Sequence, residues 1–134
     1  MQSLNHDIFL ALNADESSPL FLLATARLLA ELPIALAVLV ALYILVRRKS
    51  EKAFALRLVL TVTLAMAAAY VIRKLHYNPR PFVIDLGRTF IEHAPTASFP
   101  SFHGTFMFSL AAALLFCPKG RASGMAILLL GLAT

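Results

Sequence analysis

Apolar runs separated by short charged turns organise the chain. From Leu20 to Val46 the only charged residues are Arg27 and Glu31. They lie four apart, so they share a helix face and can pair. An ion pair near a membrane surface is the reading preferred over a functional intramembrane charge. Pro33 follows and is expected to kink or break the helix. The reading is therefore a partly interfacial helix, Leu20–Ala30, running into a span that ends at Val46. Ala53 to Ile72 forms a second span, with Arg57 near enough to its start to snorkel. Gly104 to Cys117, with a start a few residues earlier, is a third. Gly124 to Thr134 opens a further apolar helix of 11 residues, against the roughly 20 that a span needs.

The stretches between these runs are polar. Met1 to Asn13 is weakly amphipathic, with Ile8, Phe9 and Leu12 at helical spacing, and suits an interface. No basic region precedes it, so it does not read as a signal peptide. Asp15, Glu16, Ser17, Ser18 and Pro19 read as a helix start, with a Ser or Asp cap and Pro in the first turn. Arg73 to His103 is the longest polar stretch and holds four of the seven prolines. It reads as a loop with short helical pieces at most.

Composition turns these runs into membrane spans. Of 134 residues, 60% are hydrophobic and 14% charged, with a mean hydropathy of +0.79. A soluble domain carries about 25% charged residues, so this chain lacks the polar surface to cover an ordinary soluble fold. Disorder, a collagen-like chain and a disulfide framework are excluded as well, the last because Cys117 is the single cysteine. Cys117 is expected to pack against lipid or core. The fold class is all-α, a polytopic helical bundle of about three full spans plus a shortened one, in a single membrane-embedded domain over 1–134.

The net charge of +5 points to topology and not to nucleic acid, because the cations cluster at the ends of apolar runs. The turns 47–52 and 118–123 are short and basic, which puts both in the cytoplasm. The stretch 73–103 then faces outward, yet it carries Arg73, Lys74, Arg80 and Arg88. Cations retained on the outer side need another reason, and anion binding supplies one.

Two segments of that stretch carry chemistry. In Arg73-Lys74-Leu75-His76-Tyr77-Asn78-Pro79-Arg80-Pro81-Phe82, three cations sit at the mouth of a span. Arginine presents a planar fork of donors suited to phosphate oxygens. The blander account is snorkelling cations at a helix end. In Ser98-Phe99-Pro100-Ser101-Phe102-His103-Gly104-Thr105, a Ser, a His and a Gly precede a helix, whose N-terminus favours anions. His103 can transfer a proton near neutral pH, although a lone His before a helix is more often a cap. On one membrane face the two segments reinforce each other. His93, beside Glu92, and His76 read as solvated or substrate-proximal residues, and Asp85 is too isolated to orient either. The four histidines show no metal-ligand spacing with carboxylates or Cys117.

These residues resemble a known family. Arg73, six residues, then Arg80-Pro81 is similar to the K-x6-R-P signature of the type-2 phosphatidic acid phosphatase superfamily, with Arg for Lys. Pro100-Ser101-Phe102-His103 is similar to its P-S-G-H signature, with Phe102 in place of a small or acidic residue. The flanking residues resemble the bacterial undecaprenyl-diphosphate phosphatase branch. The resemblance implies hydrolysis of the terminal phosphate of undecaprenyl diphosphate, at the outer face of the bacterial inner membrane, through a phosphohistidine and without a cofactor or metal. It implies that His103 protonates the leaving group. It also implies that Arg73, Lys74, Arg80 and Ser101, with backbone N–H groups at Phe102 and Gly104, hold phosphate oxygens. Phe102 is expected to alter access to the site.

The third signature of the family, S-R-x5-H-x3-D, does not occur, and no histidine follows His103. The expectation is a domain incomplete at its C-terminus, its nucleophile missing and the chain alone inactive. Two other readings stay open: a non-catalytic membrane protein that binds anionic lipid headgroups or assembles with another chain, and a plain membrane scaffold. The partners implied are a polyprenyl diphosphate and membrane lipids, with no nucleic acid. Oligomeric state is left open.

Overall fold

A computed structural model describes residues 7–11, 13, 18–48, 50–86 and 94–132. Four helices follow one another: α1 (Leu20–Arg47), α2 (Lys52–Leu75), α3 (Phe102–Leu115) and α4 (Arg121–Leu132). Short 3-10 turns at Pro81–Ile84 and Pro118–Gly120 precede α3 and α4. A further helical stretch covers 7–11. No strand occurs among the described residues. The chain is an all-α membrane bundle.

α1 runs unbroken for 28 residues through Pro33, so the proline does not break the helix. A proline removes one backbone bond, and in an apolar bundle neighbouring groups absorb that loss. Pro33 is itself buried. The expected Ser or Asp cap is also absent: Pro19 occupies the cap position without a side-chain hydrogen bond. Its carbonyl accepts from Leu22 and Leu23 instead. Asp15, Glu16 and Ser17 of that expected helix start lie outside the described residues. Arg27 and Glu31 do pair, at 3.3 Å, on an exposed face.

α2 extends past the expected end at Ile72. Arg73 and Lys74 therefore belong to its last turn and not to the loop. Cations there oppose the negative end of the helix dipole.

α1 and α2 are each long and apolar enough to cross a membrane. α3 has 14 residues, a rise of about 21 Å, short of the roughly 30 Å of a hydrocarbon core. It nevertheless provides the centre of the bundle. Its Met107, Leu110, Ala111 and Leu114 are buried with Ile127 of α4, Ala37 and Ile44 of α1, and Leu58 of α2. Most large apolar side chains on α1 and α2 stay exposed, among them Leu28, Leu39 and Leu64, as lipid solvation allows.

With lipid as solvent, close packing holds helices together more than apolar burial does. α3 and α4 show this directly. A Cβ at Gly124 would lie 2.9 Å from the Leu115 nitrogen and 3.0 Å from the Ala111 carbonyl oxygen. At Gly131 it would meet Met107 Cβ at 3.1 Å. Glycine is what lets the two backbones come this near.

Candidate active site

The two chemistry-bearing segments meet at the end of the bundle where α2 finishes and α3 begins. Asn78, just past α2, accepts twice through its carbonyl: from the Ser98 backbone N–H at 2.7 Å and from Ser98 Oγ at 3.0 Å. Arg73, on the last turn of α2, reaches the same segment. Its Nη1 donates to the Pro100 carbonyl at 3.0 Å and its Nη2 to Thr96 Oγ1 at 3.1 Å. The guanidinium carbon sits 4.4 Å from the centre of the Phe102 ring. The Phe99–Pro100 peptide bond in this segment is cis.

These ties enclose a cleft of about 730 Å³. Arg73, Lys74, Arg80, Ser101, Phe102 and His103 all line it. Six residues singled out from the sequence, 30 positions apart at the extremes, thus share one cavity. Gly104 does not appear in that lining.

The local geometry assigns each a different capacity. Ser101 is the N-cap of α3, and its Oγ accepts the Gly104 N–H at 3.2 Å. That contact changes one expectation: the Gly104 N–H is engaged by the cap and not presented to an anion. Thr105 turns back in the same way, with both its N–H and Oγ1 donating to the Ser101 carbonyl, at 2.9 and 2.8 Å. The helix geometry leaves the N–H groups of Phe102 and His103, ahead of Gly104, for a ligand. The Ser101 hydroxyl keeps its own proton to donate.

Arg80 precedes the 3-10 turn Pro81–Ile84, which ends on Asp85 in the left-handed conformation at φ 53°. Among the described residues, the buried Arg80 Nε has no hydrogen-bond partner. Lys74 lies over the Tyr70 ring at 5.7 Å, and its ammonium stays exposed. His103 lines the cleft and is exposed. Arg88 and His93 lie outside the described residues. His76 and Asp85 are exposed and absent from the lining.

Sequence reasoning passed over Tyr70, Tyr77 and Thr96, which also line the cleft. Tyr70 stands one helical turn before Arg73 and Lys74, a spacing that could have flagged it. Thr96 carries no such signal. Among the described residues no cluster of His, Cys, Asp and Glu could hold a metal ion.

At the opposite end, Arg48 Nη1 donates to Cys117 Sγ at 3.3 Å. Cys117 is thus in a polar contact, not packed against lipid or core as expected. The basic turns after α1 and α3 share this end.

Two curated relatives match the chain. One, from Escherichia coli (strain K12), is named "Putative undecaprenyl-diphosphatase YbjG"; it is 28% identical over 116 residues, 86% of this chain and 59% of the relative. The other, from Bacillus subtilis (strain 168), is named "Undecaprenyl-diphosphatase BcrC"; it is 40% identical over 65 residues, 48% of this chain and 33% of the relative. The chain therefore spans less than two thirds of either relative. No family model matches the chain. No solved structure matches it.

Proposed function

We propose, from two relatives that share the name undecaprenyl-diphosphatase and from the cleft described above, that this chain carries the diphosphate-binding half of a lipid phosphatase site. The substrate is a polyprenyl diphosphate. Its diphosphate lies among Arg73, Arg80 and the N-terminus of α3, and its tail lies in the surrounding lipid. One observation carries the reading: Arg73 and Arg80 share one cavity with Ser101 and His103, although the two pairs come from separate segments of the chain.

The chemistry follows from these positions. Arg73, Arg80 and the free helix N–H groups neutralise the phosphoryl oxygens as charge builds on them. A histidine nucleophile attacks the terminal phosphorus, and the bond to the bridging oxygen breaks. His103 gives its proton to that oxygen, so the lipid leaves as a monophosphate. Water then hydrolyses the phosphohistidine and releases phosphate. The nucleophile belongs to the S-R-x5-H-x3-D signature, which this sequence does not contain. The chain alone is expected to bind without turning over. The site faces the outside of the bacterial inner membrane, with the turns 47–52 and 118–123 in the cytoplasm.

A second reading is a non-catalytic protein that binds anionic lipid headgroups through the same cations of the cleft. The test is twofold. Phosphate release from undecaprenyl diphosphate is measured for the purified chain and for any longer form with the third signature. Turnover by the longer form alone supports the enzyme, binding without turnover by both supports the second reading, and robust release by the 134-residue chain overturns the placement of the nucleophile.

A further inference from the structure

Every contact of the Arg73 guanidinium described above goes to one segment. It donates to Thr96 and to the Pro100 carbonyl, and its central carbon lies over the Phe102 ring at 4.4 Å. These contacts depend on the shape of arginine. A lysine ammonium is a compact point charge; it has no plane to stack and no fork to bridge two acceptors set apart. Phe102 stands where the resembled signature has a small or acidic residue, and Arg73 stands where it has lysine. The two departures meet in space.

Phe102 was expected to matter through its bulk beside the phosphate. Its ring also lines the cleft, and there it lies under the Arg73 guanidinium. Stacking leaves the edge of the guanidinium, where the N–H groups are, available for hydrogen bonds.

We propose that Phe102 is a positioning residue of this site: its ring holds the Arg73 guanidinium so that the N–H groups not used by Thr96 and Pro100 meet a diphosphate in the cleft. Arg73 and Phe102 act as one unit in place of a lysine and a small or acidic residue. The proposal rests on the reading of the cleft as a phosphate site.

The test is calorimetric titration of inorganic pyrophosphate into the purified full chain in detergent, at low salt. Phe102→Leu keeps an apolar side chain and removes the π face, and affinity falls roughly 3- to 30-fold. Phe102→Tyr restores most of that loss. In an Arg73→Lys background, Phe102→Leu costs nothing further. Wild-type affinity in Phe102→Leu, or equal losses in the Tyr and Leu variants, overturns the proposal.

Farnesyl diphosphate is titrated in parallel. The loss is the same for both ligands, because the pair acts on the diphosphate they share. A loss confined to the prenylated ligand puts Phe102 against the tail and overturns the proposal. Arg80→Ala separates the two levels of the argument. If it weakens pyrophosphate binding while Phe102→Leu does not, the phosphate site stands and the stack fails. If the wild type binds neither ligand, both fail. The ring-current shift of the Arg73 side-chain protons, lost in Phe102→Leu with the rest of the spectrum unchanged, shows that the variant is folded and that the stack exists.

Discussion

The guanidinium of Arg48 donates to the sulfur of Cys117 across 3.3 Å, although 69 positions separate them in the chain. The same arginine bonds Glu51 at 2.9 Å and covers the Phe54 ring at 4.1 Å. It joins the turn after α1 to the turn after α3 and gives one end of the bundle a fixed polar centre.

That contact sets the acidity of the thiol. The Arg48 hydrogen bond, more than any other influence, holds Cys117 below its usual range, because a donor favours the thiolate over the thiol. Removing the donor raises the Cys117 pKa. The rate of alkylation by a water-soluble maleimide, followed against pH, should therefore move to higher pH in Arg48→Gln. Superimposable profiles for the two proteins would show that Arg48 does not govern the thiol.

Arg80 and His103 line one cleft and should fail in different ways. Arg80→Ala removes a charge-assisted donor whose Nε has no partner among the described residues. Diphosphate affinity should fall about 10- to 100-fold, as read by titration. His103→Ala should leave binding near the wild-type value. In a longer form with the nucleophile, it should lower turnover about 100-fold or more. Near-normal turnover would remove His103 from the acid role.

Gly124 and Gly104 make opposite predictions. Gly124→Val forces new atoms against the Leu115 nitrogen and the Ala111 carbonyl, both within 3.0 Å of the first carbon added. Backbone cannot move aside as a flexible side chain can, so the loss should be at least the roughly 1–3 kcal/mol of ordinary overpacking. Gly104→Ala places its Cβ 3.6 Å from Ser101 Cβ, an ordinary contact, and keeps the N–H that Ser101 uses. Thermal unfolding in detergent should separate them clearly. Equal midpoints would mean that α3 and α4 do not approach so closely.

Ser101→Ala tests the cap. The hydroxyl is the acceptor for the Gly104 N–H, and losing such a cap costs about 1 kcal/mol. A lowered unfolding midpoint, with Ser101→Asp closer to wild type than Ser101→Ala, is the expected result. Unchanged stability in the alanine variant would leave the cap without weight.

What was legible in the sequence was local. Arg27 and Glu31 were paired by their spacing alone, and the pair formed. The four-helix order followed from the apolar runs, with ends displaced by a few residues. Pro33 does not break α1, because the bundle absorbs its local cost. Arg73 and Lys74 were assigned to a loop because charge was taken to end a span, whereas α2 continues through them. The clustering of Arg73, Arg80, Ser101 and His103 was anticipated from two short motifs. The means of that clustering was not. Asn78 holds Ser98 through a carbonyl that every residue owns, and Arg73 meets Phe102 across 29 positions. Neither contact has a period, a spacing or a composition to announce it.

The shortness of α3 has a consequence for depth. At 14 residues it falls about 9 Å short of a hydrocarbon core, while α1 and α2 are long enough to cross. Arginines rooted on or beside those longer helices reach its two ends: Arg73 to the segment that leads into it, and Arg48 to the turn that leaves it. The cleft thus lies at the N-terminus of a helix shorter than the two that flank it. Under the proposed function, a diphosphate bound there would meet cations carried by the longer α2 while its tail stayed in lipid.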